Sequence, residues 1–122
     1  MEKLTQQEEE AMRIVWKTGE GVIKDYLEKY PEPQPPYTTL ASIVKNLERK
    51  GYLTSKRYGN TIVYNTRVSE EEYKNKFLSG VVQNYFENSY LEMVTFFAKK
   101  KKISTKELQA IISLIENDNK TK

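Results

Sequence analysis

At Lys50-Gly51 the spacing of apolar residues changes from a helical repeat to an alternating one, and no other feature of the chain limits its fold as much. Upstream, Leu40, Ile43, Val44 and Leu47 follow the i, i+3, i+4, i+7 stripe of an amphipathic helix over about Thr38–Lys50. Downstream, the runs 52–58 and 61–65 flank Gly59-Asn60, a dipeptide suited to a two-residue hairpin loop. Two further helices precede this pair. The first, about Gln6–Lys17, carries Ala11, Met12, Val15 and Trp16 on one face and stops at Gly19-Glu20-Gly21. The second, about Val22–Tyr30, lines up Val22, Ile23, Tyr26, Leu27 and Tyr30 before a proline-rich stretch, Pro31 to Pro36, that no helix can cross. Three short helices followed at once by a hairpin is the element order of a winged helix-turn-helix. The expected fold class is therefore mainly α with a small β-hairpin, the winged unit occupying residues 1–68.

The remainder, residues 69–122, reads as helical. Thr5…Glu8, Ser69…Glu72 and Ser104…Glu107 each set a hydroxyl three residues before a carboxylate, the capping-box spacing, and each stands ahead of an apolar periodic run. Tyr73, Phe77, Val81 and Tyr85 recur every fourth residue, with Leu78, Val82 and Phe86 one position over. That doubled stripe is wider than one packing face needs. Leu91, Met93, Val94, Phe96 and Phe97 form a second apolar run, closed by Lys99 to Lys102, which read as a solvated loop. A last helix over about Thr105–Asn117 carries Leu108, Ile111, Ile112, Leu114 and Ile115, with residues 117–122 expected to fray. Since a unit of about 50 residues is hard to stabilise alone, the apolar positions Tyr73, Phe77, Val81, Tyr85, Leu91, Val94, Phe97, Leu108, Ile111, Ile112 and Ile115 are assigned to a homodimer interface.

The chain has neither cysteine nor histidine, which removes disulfides, thiolate and imidazole metal sites, and the Ser-His and Cys-His catalytic arrangements. No catalytic residue, metal site or cofactor is expected, and the chain is not read as an enzyme. Glu8-Glu9-Glu10 suits the first turn of a helix through its dipole rather than a cation. The N-terminus shows no apolar leader core and no run approaches the roughly 20 residues of a membrane span. The expectation is a cytoplasmic protein without membrane insertion.

Charge is where function shows. Of the 122 residues, 20 are basic and 17 acidic, yet residues 37–68 hold six basic residues against Glu48 alone. This local excess marks an anion-binding surface. Opposite its apolar stripe, the third helix presents Thr38, Thr39, Ser42, Lys45, Asn46 and Arg49, the residue types that read a major groove. Lys56, Arg57, Tyr58 and Asn60 surround the hairpin tip, where a wing reaches phosphate or the minor groove. A solvated helix face would look much the same by itself; two basic surfaces joined by one turn favour double-stranded DNA. The competing reading is a winged-helix interaction module that docks an acidic partner through the same face.

Two segments carry a resemblance to a known family. Glu8-Glu9-Glu10-Ala11-Met12-Arg13-Ile14-Val15-Trp16 and Thr39-Leu40-Ala41-Ser42-Ile43-Val44-Lys45-Asn46-Leu47-Glu48-Arg49-Lys50-Gly51-Tyr52 resemble the opening helix and recognition helix of the penicillinase repressors, the BlaI/MecI group. The resemblance spans nearly the whole chain. It implies a dimeric winged-helix repressor acting on a palindromic operator over a resistance gene, released when a sensor-protease system triggers cleavage in the C-terminal region. The sequence departs from the group in three places. Phe96-Phe97 stands where the family's cleaved pair is Asn-Phe, which speaks against cleavage at that bond. The Cys-x-Cys motifs of the copper-responsive branch are missing, and Ala41 stands where the methicillin-resistance repressors tend to carry Arg.

Overall fold

The computed structural model describes residues 1–121, with side chains for residues 1–118. Its elements in chain order are α1 (Gln6–Thr18), α2 (Ile23–Glu28), α3 (Tyr37–Arg49), β1 (Leu53–Tyr58), β2 (Thr61–Thr66), α4 (Glu70–Tyr85), α5 (Tyr90–Lys99) and α6 (Thr105–Thr121). They form two compact units, Met1–Asn75 and Lys76–Lys122, and the division falls inside α4.

In the first unit the helical stripes meet as their spacing requires. Ala11, Met12 and Val15 from α1, Ile23 and Tyr26 from α2, and Leu40, Val44 and Leu47 from α3 close one core with Leu4, Tyr52, Leu53 and Tyr64. Thr5 caps α1: its hydroxyl accepts from the Glu8 N–H at 3.2 Å while the Glu8 carboxylate accepts from the Thr5 N–H at 2.8 Å. Trp16, expected in the core, packs against it half-buried and donates Nε1–H to the Val68 carbonyl at 2.9 Å.

The turn from α3 into β1 is a Schellman motif. The Gly51 N–H donates to the Glu48 carbonyl at 3.0 Å and the Tyr52 N–H to the Leu47 carbonyl at 2.9 Å, with Gly51 at φ 86°. The hairpin is antiparallel, its register running from Leu53 opposite Thr66 to Tyr58 opposite Thr61. Only Gly59 of the two loop residues has positive φ, 61°, as the first central position of a type II′ turn demands.

Gly21 does more than end a helix. Its N–H and C=O pair with Tyr64 at 3.0 and 2.7 Å, a single antiparallel bridge that fastens β2 to the α1–α2 connection. A Cβ at Gly21 would stand 3.2 Å from Asp25 Oδ2, so a larger residue there requires the Asp25 side chain to give way. Gly19, at φ 85°, is the residue that stops α1.

Two boundaries differ from the sequence reading by more than one residue. The second helix ends at Glu28 rather than Tyr30, because the proline at 31 disfavours helical backbone at the residue before it; Tyr30 is buried nevertheless. The C-terminal helix continues through Thr121, so the segment expected to fray is helical there, while Lys122 lies outside the described residues.

In the second unit Val82 is fully buried, and Phe86 meets Phe96 edge-on at 5.7 Å. A fourth N-cap appears at Ser89, whose hydroxyl accepts from the Glu92 N–H at 3.1 Å. The four lysines are a helix stop rather than a plain loop. Lys101 and Lys102 donate their N–H groups to Ala98 and Phe97, and Lys101 takes the left-handed position at φ 59°. Cations there also suit the negative end of the α5 dipole. Tyr73 is placed in the first unit, its ring 5.6 Å from Trp16 and 5.9 Å from Tyr52. The part of α4 before the unit division thus sets this residue, half-buried, against the winged core.

These two C-caps predict opposite signs. Gly51→Ala is expected to destabilise by about 1–2 kcal/mol through backbone strain alone, since its Cβ would meet nothing within 4 Å. Lys101→Gly is expected to stabilise by about 1 kcal/mol by relieving the same strain. Urea denaturation of both variants checks the pair.

Candidate nucleic-acid interface

Burial of Leu40, Val44 and Leu47 fixes which way α3 faces. Thr38, Thr39, Ser42, Lys45 and Arg49 are left exposed on its outer side, as the sequence predicted. Ser42 Oγ donates to the Thr38 carbonyl at 3.1 Å, which holds the hydroxyl against the first turn. Asn46 is half-buried and already engaged. Its Nδ2 donates to Glu8 Oε2 at 2.5 Å, and its Oδ1 accepts from Arg49 Nε and Nη2 at 3.0 and 2.7 Å.

Glu8 is the buried charge behind this face. Lys50 Nζ lies 2.6 Å from its Oε1 and also donates to the Lys3 carbonyl at 3.1 Å. Burial pushes the Glu8 carboxyl up, but hydrogen bonds from Lys50, the Thr5 N–H and Asn46 outweigh it and hold the group below its ordinary 4.5. Sequence reading placed Glu8 at a helix start and missed this second role. No local pattern announces a contact 42 residues away.

The wing divides by the period of a strand. Arg57 stands opposite Ile62, and Lys56 opposite Val63, so the two cations occupy opposite faces of the hairpin. Ile62 and Asn60 line a groove of about 420 Å³ with Tyr37, Ala41 and Lys45 of α3. Arg57 shares that side. Lys56 and Tyr58 instead border a smaller hollow with Glu20 and Asn65. Ser55 Oγ donates to Glu48 Oε2, which ties β1 to α3 and occupies the one carboxylate of the basic stretch. Tyr37, 52 % exposed at the first turn of α3, belongs to this groove. The sequence reading began the helix one residue later and passed over it.

The arrangement is an exposed helix with hydroxyls at its N-terminal end and cations further along, beside a basic hairpin across a shallow groove. That is a surface for a polyanion with readable edges. The penicillinase repressor family model matches residues 4–117, through both units. The chain belongs to the penicillinase repressor family. The repressor is thus a DNA-binding transcriptional regulator. No curated relative matches the chain. Among the described residues no helix is long and apolar enough to cross a membrane.

Arg49→Ala and Arg57→Ala are each expected to lower the salt slope of duplex binding by about 0.9, with a smaller change for Lys56→Ala on the other hairpin face. Thr39→Ala and Ser42→Ala should instead narrow the gap between favoured and disfavoured sequences, by about 1–3 kcal/mol per good base contact. Fluorescence anisotropy across a salt series separates the two classes. For Glu8, a folded value below the unfolded one means stability held above about pH 4.5 and lost as pH falls through the folded value. The wild-type melting temperature should therefore drop more steeply below pH 4.5 than that of Glu8→Gln, which has no carboxyl there to protonate.

Proposed function

We propose that the chain represses transcription as a homodimer on a palindromic operator, most simply one that controls a resistance-type gene, in the cytoplasm. Residues 1–68 read the DNA and residues 69–122 supply the pairing. The observation that carries this reading is the apolar surface left open in the second unit. Phe77, Leu78, Tyr85, Leu91, Ile112, Leu114 and Ile115 are each at least half exposed. A monomeric domain rarely leaves so many large apolar side chains in water, and their exposure supports an interface. A symmetric pair also supplies two recognition helices, which a palindromic site requires about one helical turn apart.

Repression on this reading is promoter occlusion, and induction is loss of the dimer. A sensor-protease partner would act on the pairing region. The Phe96-Phe97 peptide lies within α5, where a protease would have to unwind the helix before reaching it.

Selection from a random duplex library tests the DNA half of the proposal, and inverted half-sites 10–10.5 base pairs apart are the expected product. For the pairing half, Phe97→Glu with Ile112→Glu in the full chain should convert a dimer to a monomer in sedimentation equilibrium. Affinity for the selected site is expected to fall by a factor of about 10²–10⁴, the avidity of two linked contacts. A wild-type chain that remains monomeric at tens of micromolar and still binds its site tightly defeats the dimer.

A further inference from the structure

The outer face of α3 contains one side chain that is not free to read DNA. We propose that Glu8 and Asn46 form a positioning relay that holds the Arg49 guanidinium for a backbone phosphate, so that Asn46 sets anion-binding geometry and does not read a base. The proposal rests on α3 being the DNA-facing helix.

Donor and acceptor chemistry decides the orientation of the Asn46 amide. Glu8 only accepts, so it must face Nδ2; Arg49 only donates, so it must face Oδ1. Any flip would oppose like groups at both ends. An asparagine that reads adenine needs Oδ1 to accept from the base and Nδ2 to donate to it. Here Oδ1 already takes two hydrogen bonds from Arg49, at 3.0 and 2.7 Å. Asn46 is spent before DNA arrives.

Glu8 is an anchor that cannot turn away. It is 3 % exposed, with Thr5 N–H and Lys50 Nζ both on Oε1, leaving Oε2 for Asn46. At the other end Arg49 has used Nε–H and one Nη2–H. Both Nη1 hydrogens and one on Nη2 remain, the outer edge of the fork that binds a phosphate by two parallel bonds. Arg49 lies in the last turn of α3, away from the N-terminal residues that a helix-turn-helix sets against base edges, which makes the backbone its target. Holding a long side chain in its bound rotamer beforehand is worth roughly threefold to tenfold in affinity.

The test measures full-length Asn46→Ala, Arg49→Ala and the double variant against two probes: a duplex selected from the random library and an unrelated duplex of equal length. Thermal melting first establishes that each variant is folded; Asn46→Ser replaces Asn46→Ala if that variant is not. Asn46→Ala is expected to weaken both duplexes about threefold to tenfold with the ranking of sites unchanged, and to add nothing in the Arg49→Ala background. Glu8→Gln should lose affinity in the same sequence-independent way. An Asn46→Ala loss confined to one base position and persisting without Arg49 makes Asn46 a reader and overturns the relay. So does an Asn46→Ala variant that binds like wild type, or an Arg49→Ala variant that does. If wild type binds no duplex at all, the DNA reading fails and takes the relay with it.

Discussion

One buried carboxylate organises the winged unit. Glu8 caps the start of α1, meets Lys50 at the end of α3 and holds Asn46 in between. An ion pair this far from water gains little net stability, because desolvating both partners cancels most of their attraction. Its value is directional. Three donors around a two-oxygen acceptor leave a single arrangement, which fixes α3 against α1 more tightly than apolar packing would. Leu40, Val44 and Leu47 by themselves could tolerate a small slide or roll.

The wing is secured by a second local device. A two-stranded hairpin is marginal in water without further support. Here Tyr64 is buried in the core while its backbone pairs with Gly21, and Ser55 bonds Glu48 on α3. The hairpin is therefore held at its base and free at its tip. This is the mechanical arrangement a wing needs: a root that sets direction and an exposed end, Arg57 to Asn60.

The second unit obeys a different logic. Its helices α5 and α6 are well capped, by Ser89 and Ser104, yet among its described side chains Val82 is the one fully buried apolar residue. Local signals suffice to make helices there, but the apolar area they carry exceeds what the unit covers by itself. Strong local propensity is thus joined to an incomplete core.

Much of this was decided by sequence alone, for reasons of range. Capping boxes, the Lys50-Gly51 stop, the Gly59-Asn60 turn and the change of period all act within about five residues, so the chain states them directly. The outer face of α3 follows too, because an amphipathic stripe leaves its complement exposed. What tertiary structure decided depends on partners far along the chain. Glu8 looked like a cap and became an anchor because Lys50 and Asn46 reach it. Gly21 looked like punctuation and became a bridge because β2 returns to it. Tyr73 continued an apolar stripe by spacing, yet its hydroxyl bonds Glu9 and its ring packs on Trp16. Periodicity records that a side chain will be buried; only the folded chain decides against what, because burial is local in pattern and long-range in partner.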